Sequence, residues 1–197
     1  MHGMHDDRGR RRGQAVRPRG RGLAGLGTLG GVSIRAFYDR WPQYNRRLIE
    51  AIAPLTDDQL AIRPSPDHWP IWAIAGHLAS TRVYWLCAIA GEAGFESTPW
   101  PDPNSDGWED DLSHPRTAAE LVTALDTTFA IIDDVLDRWT PEMLGVEFER
   151  FYGDGRQVHS RSSILQRLLT HDAYHDGELA LALGSHSLEP VYIWRPD

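Results

Sequence analysis

From residue 33 onward, apolar side chains recur every three or four positions in four stretches, the spacing of one face of an α-helix. The first holds Phe37, Trp41, Tyr44, Leu48, Ile52 and Leu55. Pro42 interrupts it, so the helix starts near that residue or bends there, and Pro54 with Thr56-Asp57-Asp58 ends it. The second runs from about Pro70 to Ala90, with Ile74, His77, Leu78, Thr81, Trp85 and Ala88 on one stripe. Pro70 suits its first position and Gly91 its exit. The third opens with Thr117-x-x-Glu120, a capping box that satisfies the free amides of a first turn. Its inner face is Leu121, Leu125, Phe129, Ile132, Leu136 and Trp139, and Asp126, Asp133, Asp134 and Asp137 fall mostly off that face, as a solvated acidic side would. In the fourth, Ser163-x-x-Gln166 is read as the cap, Gly184 as the end, and Ile164, Leu168, His171, His175, Glu178 and Ala182 as the stripe.

Between the third and fourth stretches the period changes from 3.6 to 2. Val146–Phe151 alternates, Gly153-Asp154-Gly155 can turn, and Arg156–His159 returns, which predicts a short hairpin. The fold class is therefore all-α: a four-helix bundle with a long crossover between helices two and three and a hairpin before helix four. The crossover, roughly residues 92–116, is rich in Pro, Gly, Asp and Trp. At ~3.3 Å per residue it can span the ~30 Å of a 20-residue helix, so helices two and three can run parallel.

Composition divides the chain in two. Residues 1–32 form an Arg/Gly-rich leader, read as disordered, and residues 33–197 form the folded domain. Seven arginines against Asp6 and Asp7 give residues 1–21 a charge of +5, which leaves −13 of the total −8 on the rest. An acidic body argues against nucleic-acid binding by the folded domain. Leu23–Val32 follows the basic segment as a secretory signal would, but four of its ten residues are glycine and no Ala-x-Ala site follows. No run approaches the ~18 apolar residues of a membrane span. The single cysteine, Cys87, excludes an intramolecular disulfide and fits a reducing, cytoplasmic compartment; in its apolar run it reads as a small buried hydrophobe.

Three histidines carry the chemistry. An imidazole in an apolar stripe costs roughly 1–3 kcal/mol unless something compensates it. His171 and His175, four apart, differ by only about 40° around a helix axis and offer two nitrogens one turn apart. His77, on the inner face of another helix, supplies a third. Three neutral imidazoles form a catalytic metal ligand set that leaves a coordination position open. Of the others, His2 and His5 lie in the leader and His114 and His186 in loops, while His68 and His159 are weaker candidates for a pocket. His171-Asp172-Ala-Tyr-His175 also invites comparison with the H-E-x-x-H metalloproteases, but aspartate replaces the glutamate base and no ligand motif follows.

The run Trp69-Pro-Ile-Trp-Ala-Ile-Ala-Gly-His77-Leu-Ala-Ser-Thr-Arg-Val-Tyr-Trp85, with His171-Asp-Ala-Tyr-His175-Asp-Gly177-Glu178 far downstream, resembles the DinB/YfiT-like superfamily over roughly residues 33–190. That resemblance implies up-down-down-up bundle topology, a homodimer, and nickel or zinc held by His77, His171 and His175. It also implies an enzyme acting on a small molecule, by hydrolysis or by thiol transfer with a low-molecular-weight thiol as co-substrate. Relatives often carry glutamine where this chain has Glu178, which adds a carboxylate beside the metal as a partner of a ligand or a general base. Trp100, Trp108 and Tyr174 are candidate pocket walls, although the two tryptophans can equally pin the crossover to the bundle. The reading from another class is a non-catalytic metal-binding stress or interaction protein.

Overall fold

A computed structural model describes residues 32–195; the leader expected over 1–32 lies, but for Val32, outside the described residues. The fold is mostly helical with one two-stranded sheet. Its α-helices are α1 (Trp41–Ile52), α2 (Asp57–Leu60), α3 (Ile71–Val83), α4 (Ala118–Arg138) and α5 (Arg161–Ser185), and its strands are β1 (Glu147–Tyr152) and β2 (Gly155–Ser160).

The first stretch forms α1 and is followed at once by the short α2. Pro42 sits in the opening turn of α1, where a missing amide is harmless. Phe37 lies before that turn, in a 3₁₀ segment, and is 77% exposed, so it does not belong to the buried stripe. Thr56-Asp57-Asp58, read as a stop, is also a start: Thr56 and Gln59 form a capping box that opens α2.

α3 corrects the amphipathic reading of the second stretch. Every residue from Ile71 to Val83 is buried, so this is the central helix of the domain rather than a one-sided surface helix. Pro70 is its N-cap, one position before the expected place. Tyr84–Ile89 continues it as a π-helix.

α4 follows its sequence pattern closely. Thr117 accepts from the Glu120 amide, and Leu121, Leu125, Phe129, Ile132 and Leu136 are buried. The acidic face is paired rather than only solvated: Asp133 and Asp137 take Arg35, and Asp134 takes Arg138. The hairpin also forms as read, with Tyr152 opposite Gly155 leaving a two-residue loop. Gly153 has φ +56°, a backbone conformation that side chains bearing a Cβ rarely adopt.

α5 starts three residues earlier than expected. Ser160, not Ser163, is the N-cap, and Ser163 is its reciprocal partner. The last strand residue thus doubles as the helix cap, an overlap that periodicity does not register.

α3 packs on α4 and α5, and α1 packs on α4. Arg82 on α3 reaches the Leu125 carbonyl on α4, and Gly94, in the loop that follows, meets Ile131 further along α4. The Ile34 amide bonds the Trp139 carbonyl while Trp41 packs edge-on to Phe129, which makes α1 antiparallel to α4. His77 meets His171 and Trp85 lies under Arg167, which makes α3 antiparallel to α5. Among the described residues, no helix is long and apolar enough to cross a membrane.

Candidate metal centre

The central helix α3 delivers His77, and α5 delivers His171 and His175 one turn apart. Each ring offers a nitrogen such that all three lie within 4.8 Å of one another. Ring centroids are 4.5 to 4.9 Å apart. His77 and His175 are buried, at 6% and 5% exposure, while His171 is half-buried.

The outer nitrogens of two rings are occupied. His77 Nδ1 donates to Glu109 Oε1 at 2.7 Å, and His175 Nδ1 donates to Glu178 Oε2 at 2.6 Å. Both Nε2 atoms are thereby left as acceptors, and His77 Nε2 lies 2.8 Å from His171 Nε2. Imidazole ligands that give their other N–H to a carboxylate are fixed in tautomer and orientation and made more basic. Two nitrogens bound to one tetrahedral ion at Zn–N distances near 2.05 Å stand about 3.3 Å apart, about half an ångström more than this spacing. The donor set and its supports fit a divalent metal.

A charged layer lies beside the histidines within the core. Asp172 Oδ2 accepts from Arg82 Nη2 and from Trp41 Nε1, each at 2.9 Å, and Arg82 also donates to Asn45 Oδ1 at 2.8 Å. Asp176, one turn along α5, is buried as well. Burial first, then the neighbouring Asp172 charge, pushes its carboxyl up to about 7, against the opposing pull of Arg82. Two carboxylates facing one guanidinium in low dielectric cannot both ionise cheaply.

The other expected site residues are scattered. Glu178 contacts His175 as described, so its carboxylate orients a ligand ring. Tyr174 packs edge-on to His175 at 5.1 Å and bonds Glu178, but is itself 52% exposed. Trp100 is buried and stacks on Trp108 at 4.9 Å; Trp108 in turn packs against Gly76, one residue before His77. Trp69, not singled out from the sequence, lies 5.0 Å from the His77 ring. His68 bonds Ser65, His114 bonds Asp111, and His186 bonds the Ala182 carbonyl, all on exposed segments. His159 packs against Trp85 rather than with the three ligands. His2 and His5 lie outside the described residues. Cys87 is buried, and its thiol is pushed up to about 12 chiefly by that burial. A surface groove bounded by Arg47, Leu55, Leu188 and Tyr192 contains none of the three histidines.

Sequence reasoning missed Glu109 altogether. It sits in a 3₁₀ turn (Trp108–Asp110) of a Pro- and Asp-rich crossover, where no periodicity marks a residue as inward. It also missed the burial of Asp172, Asp176 and Arg82. Arg82 falls in a helix that is buried all round, whereas Asp172 and Asp176 lie on the inward side of α5, a helix that also carries exposed positions.

Comparison with known proteins agrees with this geometry. No curated protein matches the chain. A solved structure of a DinB-like protein from Bacillus cereus ATCC 10987 superposes with a TM-score of 0.59 at 19% identity, covering 80% of this chain and 95% of that one. The profile of the DinB superfamily matches residues 43–179, a span that holds α3, the crossover, and α5 as far as Leu179, and so all three clustered histidines. The chain belongs to the DinB superfamily.

Proposed function

We propose that this protein is a metal-dependent enzyme that performs hydrolysis or thiol transfer on a small molecule at a divalent ion, nickel or zinc, held by His77, His171 and His175. The observation that carries the reading is the convergence of three imidazole nitrogens within 4.8 Å, with two of the rings anchored from behind by carboxylates. A divalent metal with an open position would acidify a coordinated water or thiol. His77 and His175 would present Nε2 because Glu109 and Glu178 hold their Nδ1 protons. The partial exposure of His171 supports approach of a substrate or a low-molecular-weight thiol past that ring. Tyr174, bonded to Glu178, is placed at that margin.

The helix order that fits this site is an up-down-down-up four-helix bundle of α1, α3, α4 and α5, supported by the contacts of Arg82 and Gly94 along α4 and by the antiparallel α3–α5 contacts. Tyr174 and Leu181, exposed two turns apart on α5, support a homodimer.

Metal content and turnover test the proposal together. Protein expressed with nickel or zinc supplied should carry about one tight ion per chain, and His171→Ala should lose it while keeping its helical spectrum. Metal below a tenth of an equivalent overturns the metal reading. If the ion binds but no thiol-plus-electrophile pair and no ester probe turns over, the protein is a non-catalytic metal binder.

A further inference from the structure

We infer that Glu109 selects which nitrogen of His77 faces the metal centre and thereby sets the affinity of that centre, a positioning role for a crossover residue outside the two ligand-bearing helices. The inference rests on the three-histidine reading above. Its first support is the 2.7 Å contact between His77 Nδ1 and Glu109 Oε1, with the Glu109 side chain at 0% exposure and that of His77 at 8%. A carboxylate accepting from Nδ1–H holds the neutral ring in the tautomer whose Nε2 lone pair points to His171 and His175.

The second support is the way Glu109 is seated. Its turn is closed by the Gly107 amide donating to Asp110 Oδ2 at 2.8 Å and by the Asp110 amide donating to the Gly107 carbonyl at 3.1 Å. The preceding Trp108 lies against Gly76, where a Cβ would come within 3.2 Å of it. Trp100 stacks on Trp108, and the Arg116 guanidinium sits 4.5 Å over its ring. Gly76 and His77 are consecutive on α3, as Trp108 and Glu109 are on the crossover, so the two contacts form one docked pair.

The test compares Glu109→Ala and Glu109→Gln with the parent protein, using zinc alone as the probe. Zinc Kd is read by competition with a chromophoric chelator, and the His77 tautomer of the metal-free protein by long-range ¹H–¹⁵N NMR. Removing a carboxylate behind a metal-bound histidine lowers affinity about 10- to 100-fold. We expect a loss in that range for Glu109→Ala, with His77 no longer held as Nδ1–H. Glu109→Gln, whose amide oxygen can still accept, should keep the tautomer and lose less affinity. A Kd for Glu109→Ala within threefold of the parent overturns the inference. Should the alanine variant not fold, Glu109→Met, of similar length but with no oxygen to accept from Nδ1–H, takes its place under the same threefold criterion. His171→Ala serves as the separate control, because zinc binding unaffected by that change defeats the three-histidine reading itself.

Discussion

Arg82 on α3 and Asp172 on α5 meet at 2.9 Å with their side chains 1% and 7% exposed, one residue along the chain from His171. The pair ties the two ligand-bearing helices at the level where their histidines must face each other. A buried ion pair is weak evidence for stability as a whole, yet removing one partner leaves the other charge stranded and typically costs about 3–5 kcal/mol. Arg82→Met should therefore lower the unfolding free energy by about that amount. Arg82→Met/Asp172→Leu, which removes both charges, should recover part of it. Urea unfolding of the metal-free proteins measures both, and a loss below about 1 kcal/mol for the single variant would show that the pair does not hold the helices together.

Gly76 illustrates a residue whose replacement has two opposed effects. Alanine in a helix interior is favoured over glycine by about 0.8–1.0 kcal/mol. The added Cβ would nevertheless lie 3.2 Å from both Cβ and Cε3 of Trp108, whose ring is confined by Trp100 and Arg116. Because the neighbour has little room to give, Gly76→Ala should shift Trp108 and pull Glu109 from His77. We expect unchanged helicity, an altered tryptophan emission spectrum, and zinc affinity lowered several-fold. Parent-like emission and affinity would mean that the crossover yields without loss at this contact.

The cluster of three histidines was legible because it rode on periodicity: His77 and the pair His171/His175 fall on the apolar stripes of long helices. The Thr117 cap and the Gly153-Asp154 turn were legible for a similar reason, since each is a local solution to a backbone problem. Glu109 was not legible, because its inward position is set by the tertiary docking of Trp108 on Gly76 and no local rule records it. Arg82, Asp172 and Asp176 were hidden by the opposite effect. Charge on a helix normally signals solvent; burial of α3 on all sides reverses that reading for Arg82, and for Asp172 and Asp176 the side of α5 packed on α3 does so.

Cys87 supplies a prediction that separates metal chemistry from thiol chemistry by the protein itself. Burial is the chief reason its thiol is pushed up to about 12, with the charges of Glu96 and Glu92 acting in the same direction. At pH 8 a thiol of that pKa is ionised in only about one molecule in 10,000, and the thiolate is the reactive form. Native protein should therefore react with a disulfide reagent at least 100-fold more slowly than protein unfolded in guanidinium. The linkage sign follows from a raised acid pKa: the contribution to stability is complete below the unfolded-state value near 8.5 and is lost as pH rises towards 12. Cys87→Ala should flatten the stability profile across that alkaline window. Rapid modification of the native protein at pH 8 would refute the burial argument.

The start of α5 gives a test of register at the junction of hairpin and helix. Ser160 Oγ accepts from the Ser163 amide at 3.2 Å, and the Ser160 amide donates to Ser163 Oγ at 2.9 Å. Loss of a serine N-cap costs about 1 kcal/mol. Ser160→Ala should therefore destabilise by about that much, and Ser163→Ala by a smaller amount because it removes only the reciprocal bond. Gln166, exposed one turn further on, should tolerate alanine with almost no change. The three variants are compared by urea unfolding at one pH without metal. A larger loss for Gln166→Ala than for Ser160→Ala would move the helix start to Ser163, shorten α5 by its first turn, and break the link by which β2 aims Arg161 at Glu92.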